Sequence, residues 1–176
     1  MLKSEKVLLR PLMIKDYIYF FKWLNDPQVL QFIGFYLPAS EMKEKKWVEE
    51  YSLKNNSLEV LFIIETASDS VVIGFCVIGK INYKDCNAEF TVIIGDSSYW
   101  GKGIGQEASK LLIKYAFNQL NLHRLYTGVY SFNNKSLKLI ERLGFKKEGR
   151  QRQSIYKNGK YHDIILFGLL KEEMIE

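Results

Sequence analysis

The sequence predicts an α/β fold: a mixed twisted sheet of six or seven strands with helices on both faces, in one domain over residues 1–176. Three observations support it. Short runs rich in β-branched residues alternate with longer segments of helical periodicity. Two helical segments lie between strands, and a strand–helix–strand crossover implies parallel neighbours. The chain is 47% apolar and has no Ser/Gly-rich linker, repeat or low-complexity tract. A chain of this length buries roughly two thirds of its unfolded surface, enough for a core without staples.

The elements follow in order. Val7–Leu9 reads as a short strand closed by Pro11. Ile14–Leu24 is apolar and aromatic at helical spacing, and Asn25-Asp26-Pro27 stops it. Its aromatic run, Tyr17–Trp23, suits either the core or a contact between two copies in a homodimer. Ser40 caps a polar helix running to about Tyr51. Val60–Thr66 and Val71–Ile78 flank the polar turn Ala67–Ser70 and read as a hairpin. Ala88–Ile94 is a third strand of this region. After the glycines at 101, 103 and 105, Ala108, Leu111, Leu112, Tyr115 and Ala116 form one apolar helical face. Leu125–Tyr130 is a strand, and Asn133-Asn134 opens the helix Lys135–Leu143, stopped by Gly144. Phe145–Tyr156 and Tyr161–Leu170 meet at Asn158-Gly159, a strong hairpin signal.

Composition excludes several classes. Two cysteines, Cys76 and Cys86, make no disulfide framework. The only histidines are His123 and His162, so no metal-ligand spacing exists for a structural zinc. No apolar run approaches the length of a membrane span, and the first thirty residues carry charges throughout. A cytoplasmic protein with reduced thiols is expected. The 25 basic and 20 acidic residues give a net charge of +5, which favours anionic partners. Lys146, Lys147, Arg150, Arg152, Lys157 and Lys160 surround the last hairpin. No recognisable RNA motif accompanies them, and direct nucleic-acid binding is not expected.

The segment carrying the chemistry is Tyr99-Trp100-Gly101-Lys102-Gly103-Ile104-Gly105, between a strand and a helix start. Glycines let the backbone approach a ligand closely. The first turn of a helix has unpaired N–H groups and a positive dipole end, which suit a pyrophosphate. Lys102 adds a positive charge. A Walker loop would need Gly-Lys-Ser/Thr, and none follows Gly105. A dinucleotide fingerprint matches locally at Gly103–Ala108, but the acid it needs near Leu125-Tyr126-Thr127 is missing.

Trp100-Gly101-Lys102-Gly103-Ile104-Gly105 resembles the acyl-CoA loop of the GNAT N-acetyltransferases, Arg/Gln-x-x-Gly-x-Gly/Ala, with Trp100 in place of Arg or Gln. Leu8-Leu9-Arg10-Pro11-Leu12, Trp23-Leu24-Asn25-Asp26-Pro27 and Asn133-Asn134-Lys135-Ser136 through Leu143-Gly144-Phe145 are similar to the RimJ/RimL-type and spermidine acetyltransferase subgroup. The resemblance covers nearly the whole chain. It implies acetyl-CoA as cofactor, with its pantetheine arm between two splayed parallel strands, here Ala88–Ile94 and Leu125–Tyr130. Ile93 and Ile94 would supply backbone contacts. Trp100 through Gly105 and Gln106 would hold the pyrophosphate, and Asn133 would contact the cofactor.

The implied reaction is direct attack of an amine on the thioester, with no covalent enzyme intermediate. An amine of pKa near 10.4 is only ~0.1% neutral at about pH 7.4, a handicap of roughly 4 kcal/mol, whereas an α-amine near 7.8 is handicapped by well under about 1 kcal/mol. Glu89, the only acid within Ala88–Ile94, is the base candidate. Alternation sets it on one face with Thr91 and Ile93, and an apolar setting would raise its pKa. The family's usual tyrosine acid is replaced by Ile140, which leaves Ser136 and Tyr130 as candidates for handling the leaving-group proton. A protein or peptide N-terminal α-amine is the expected acceptor. A polyamine or amino sugar is the alternative, and a non-catalytic acyl-CoA-binding module is the alternative class.

Overall fold

The computed structural model describes residues 1–53 and 58–175. It contains one eight-stranded sheet: β1 (Leu2–Lys3), β2 (Val7–Pro11), β3 (Val60–Thr66), β4 (Val72–Asn82), β5 (Asn87–Ile94), β6 (Arg124–Tyr130), β7 (Lys146–Lys157) and β8 (Lys160–Leu170). Their spatial order is β1-β2-β3-β4-β5-β6-β8-β7. Every pairing is antiparallel except β5 with β6. The helices are α1 (Tyr17–Trp23), α2 (Pro27–Leu30), α3 (Glu41–Leu53), α4 (Ile104–Asn118) and α5 (Asn134–Arg142). The eighth strand, β1, is two residues long, too short to leave an alternation for sequence reading to find. Asn25-Asp26-Pro27 does end α1, but it also starts α2: Asp26 caps it through Gln28 N–H, with Pro27 at its first position. None of the helices described is long and apolar enough to cross a membrane.

The alternation of β3 and β4 feeds a core on each face of the sheet. Phe62, Ile64, Cys76 and Ile78 pack with α4 and α5. Leu61, Ile63, Phe75 and Val77 pack with Phe20 and Trp23 of α1 and Val48 of α3. The aromatic run is therefore core on its inward side, with Phe20 and Trp23 only 3% and 2% exposed. Trp23 lies flat against the chain after β5, where a Cβ on Gly95 would overlap its ring.

Two resembling motifs have structural roles. Arg10, Asp16 and Glu65 form a buried network that ties β2 to β3 and to the chain entering α1. The Arg10 guanidinium donates to both Asp16 oxygens, at 2.7 and 2.8 Å, to Glu65 Oε1 at 2.5 Å and to the Pro11 carbonyl at 2.9 Å. Hydrogen bonding to Asp16 leads the causes that raise its pKa further above its ordinary value. Asn25 bonds both ways with Ala39 and so fixes the approach to α3.

Candidate active site

β5 and β6 are paired at only three positions, ending at Glu89 with Tyr126. Beyond that point each strand stays bound to its outer neighbour. β5 remains on β4 as far as Ile94, and β6 remains on β8 as far as Tyr130. The inner edges therefore separate while the outer ladders hold, and a gap opens in the middle of the sheet. A cavity of about 580 Å³ fills this region. Its walls come from β5 (Phe90–Ile93), β6 (Thr127–Tyr130), α4 (Ser109), α5 with its cap (Asn133, Ser136, Leu139, Ile140) and the loop Phe32–Leu37. No wall residue is charged.

The free edge of β5 is set by alternation. The Ile93 carbonyl points at Gly74 of β4, and Gly95 N–H bonds Ile73 on that same side. Val92 and Ile94 consequently aim their peptide groups into the gap. The Ile93 backbone, expected to contact the cofactor, faces β4 instead, although the residue is on the cavity wall. The Ile94 carbonyl is already engaged, accepting from Trp100 Nε1 at 2.7 Å. Trp100 also meets Phe32 edge-on at 5.8 Å, and Lys135 Nζ lies 5.9 Å above its ring. Trp100 thus occupies the family's Arg/Gln position as a clamp on the end of β5. Trp100→Phe keeps the ring contact but leaves that carbonyl without its donor. A stability loss of about 1–2 kcal/mol is expected in thermal unfolding.

The glycine loop forms the start of α4. Gly101 and Gly103 have φ of +77° and +80°, and Gly103 accepts from Gln106 and Glu107 N–H. The amides of Gly103, Ile104 and Gly105 bond nothing among the described residues. A Cβ on Gly101 would have nothing within 4 Å. Lys6 Nζ sits 3.5 Å from where a Cβ on Gly103 would be, a cation that sequence reading did not single out. Lys102 lies over the Tyr99 ring at 5.1 Å. Gly105 faces Leu139 and Ile94, so the loop adjoins the cavity wall. Gln106 is half-buried in the first turn.

Of the candidates for chemistry, Tyr130, Ser136 and Asn133 line one cavity. Asn133 Oδ1 accepts from Ser136 N–H at 3.2 Å, so Asn133 is the cap of α5 and the Ser136 hydroxyl is not committed to capping. Burial raises the Tyr130 phenol above its ordinary pKa. Its hydroxyl faces Gly34 in the loop over the cavity. Glu89 is not on the cavity wall. It is the last paired residue before the strands part, and its carboxylate bonds Lys80 Nζ at 2.9 Å. That ion pair replaces the apolar setting the sequence suggested.

Sequence reading missed the loop Phe32–Leu37, and it placed Lys157 only in the basic cluster of the last hairpin, not as the residue that holds this loop. Lys157, at the tip of the β7–β8 hairpin, donates to the Leu30 and Phe35 carbonyls, both at 3.0 Å. The loop has no periodicity to reveal it. Lys157 is thereby committed, as are Lys146 to Glu173 and Arg150 to Asp163, which leaves a smaller solvated basic face.

Unbonded amides at a helix start suit an anion, and unpaired strand edges suit a ligand bearing peptide groups. Coenzyme A has both an anionic end and an amide-rich arm, and the arrangement is that of an acyl-CoA-dependent transferase. Residues 6–146 match the acetyltransferase (GNAT) domain, and the chain belongs to that family. It is 34% identical to the SPbeta prophage-derived N-acetyltransferase YokL of Bacillus subtilis over 174 residues, 97% of this chain and 93% of that one. It is 30% identical to a spermidine N(1)-acetyltransferase of Escherichia coli over 172 residues, 98% and 90% of the two chains. The spermidine N-acetyltransferase of Vibrio cholerae in complex with CoA and spermine superposes with a TM-score of 0.87 at 27% identity, over 97% of this chain and 98% of that one. The protein is therefore an N-acetyltransferase that uses acetyl-CoA and an amine acceptor.

Proposed function

We propose that the acceptor is a primary amine of a polyamine, acetylated by direct attack. The observation that carries this is the near-complete coverage of a relative named spermidine N(1)-acetyltransferase. It replaces the protein N-terminus as the leading acceptor. In this reading the roles within the site are these, and its geometry supports them. The amides of Gly103, Ile104 and Gly105 bind the pyrophosphate, with Lys6, Lys102 and Gln106 beside them. The free edge at Val92 and the Ile94 N–H hold the arm, the Ile94 carbonyl being taken by Trp100, and Asn133 fixes the start of α5 against it. Acetyl-CoA supplies the thioester.

An uncharged wall disfavours an ammonium group and so favours the neutral, reactive nitrogen. Glu89 shares a face with Thr91 and Ile93, and takes the proton through water rather than by contact. Burial holds the Tyr130 phenol above its ordinary pKa, and a phenol is already a weaker acid than a thiol, so full proton transfer from Tyr130 to the leaving thiolate is uphill. Tyr130 and Ser136 therefore serve as hydrogen-bond donors to the leaving sulfur.

The N-terminal α-amine is the second reading, favoured by the lack of any carboxylate among the wall residues to receive a second ammonium group. The test is thiol release with spermidine, free-N-terminus peptides and an amino sugar, for wild type and Glu89→Gln. Turnover of spermidine well above peptides is expected, with a drop of about a hundredfold in the variant. Turnover of peptides alone would overturn the polyamine reading. An unchanged variant rate would remove Glu89 from proton transfer.

A further inference from the structure

We infer that Ser109 is a hydrogen-bonding subsite for the amide-bearing arm of the cofactor. The inference deepens the acetyl-CoA reading and rests on it. Ser109 is fully buried, at 0% exposure, and lines the cavity. Its Oγ is the only buried side-chain polar atom among the described residues with no hydrogen-bond partner. A serine within a helix often bonds the carbonyl four residues back, here that of Gly105, and this one does not. Other polar side chains of the cavity, Thr91, Thr127, Tyr130, Asn133 and Ser136, do not bond it either. A buried hydroxyl left alone destabilises the chain that carries it unless something else uses it.

Its position shows what would use it. Ser109 is four residues after Gly105, so it lies about 6 Å further along the same face of α4. Gly105 is among the residues whose free amides suit the pyrophosphate, and it faces Leu139 and Ile94 at the edge of the gap. The part of coenzyme A that follows the pyrophosphate is the pantetheine arm. A ligand extending from the start of α4 into the cavity would therefore bring that arm to Ser109. A serine hydroxyl both donates and accepts, so it can meet either side of an amide. The sequence held a signal for this, a hydroxyl on the otherwise apolar stripe of Ala108, Leu112 and Ala116.

Calorimetric binding of CoA, 4′-phosphopantetheine and adenosine 3′,5′-bisphosphate to the full chain tests the assignment. Ser109→Ala should bind CoA and phosphopantetheine about three- to tenfold more weakly and the bisphosphate equally well. Without ligand its unfolding midpoint should match or exceed wild type, because an orphaned group has gone. Its rise on saturation with CoA should be smaller. Ser109→Cys, with a weaker donor of similar shape, should fall between and serves if the alanine variant folds poorly. Equal CoA affinity in wild type and variants would overturn the inference while leaving the cofactor reading intact. An equal loss for all three ligands would mean a distorted site and would also overturn it. Failure of wild type to bind CoA would instead remove the cofactor reading itself.

Discussion

Arg10→Met should lower stability by about 3–5 kcal/mol, because two buried carboxylates lose the cation that pairs with both. Asp16 is fully buried and Glu65 is 9% exposed, and Arg10 holds both. A domain of this size is stable by about 5–15 kcal/mol, so the loss is a large share. The unfolding midpoint, followed by circular dichroism, should fall by roughly 6–20 °C. Arg10→Lys should recover little, since an ammonium cannot bond both Asp16 oxygens and reach Glu65 at once. Adding Asp16→Asn and Glu65→Gln to Arg10→Met should restore part of the loss, because the stranded charges are then gone. A midpoint within 2 °C of wild type for Arg10→Met would show that the network contributes nothing of this kind.

Gly103→Asp should weaken CoA binding at least about thirtyfold. Gly103 sits at the start of α4 with φ of +80°, beside free amides that suit an anion. Two unit charges 4 Å apart repel by about 4 kcal/mol at an effective dielectric of 20. The loop is exposed, and screening reduces this to about 2 kcal/mol, or thirtyfold. Gly103→Asn separates charge from strain. Asparagine tolerates positive φ at least as well as aspartate and carries no charge. It should lose only a few-fold. If both variants lost affinity equally, the backbone shape of the loop rather than its anion preference would be the important property.

Local chemistry made much of the fold legible. Asn158-Gly159 marked the last hairpin, which turns there with both residues at positive φ. The apolar face after Gly105 marked α4, and β-branched runs marked β3 and β5. The misses were of two kinds. β1 and α2 are too short to show a period. The Lys157 clamp on the Phe32–Leu37 loop joins residues about 120 positions apart, which no local pattern encodes. The candidate site divided in the same way. Gly103, Asn133 and Tyr130 could be placed from motif and element order. Glu89 could not, because its exclusion from the cavity wall depends on where the β5–β6 pairing stops, and its charge is met by Lys80 from another strand.

The sheet behaves as two leaves, five strands and three, hinged along one short seam of paired residues, Asn87–Glu89 with Arg124–Tyr126. Past the seam, no rung joins the leaves. An arm of peptide groups lying between them, as proposed for coenzyme A, would supply rungs that the polypeptide itself lacks and so act as a removable strand. A ligand that binds only the folded chain stabilises it by mass action, by about 2.7 kcal/mol at a hundred times its dissociation constant. The cofactor pool is then a folding ligand as well as an acyl source. The protein's resistance to unfolding should track how much coenzyme A surrounds it, with protection gained first in the amides that face across the open seam.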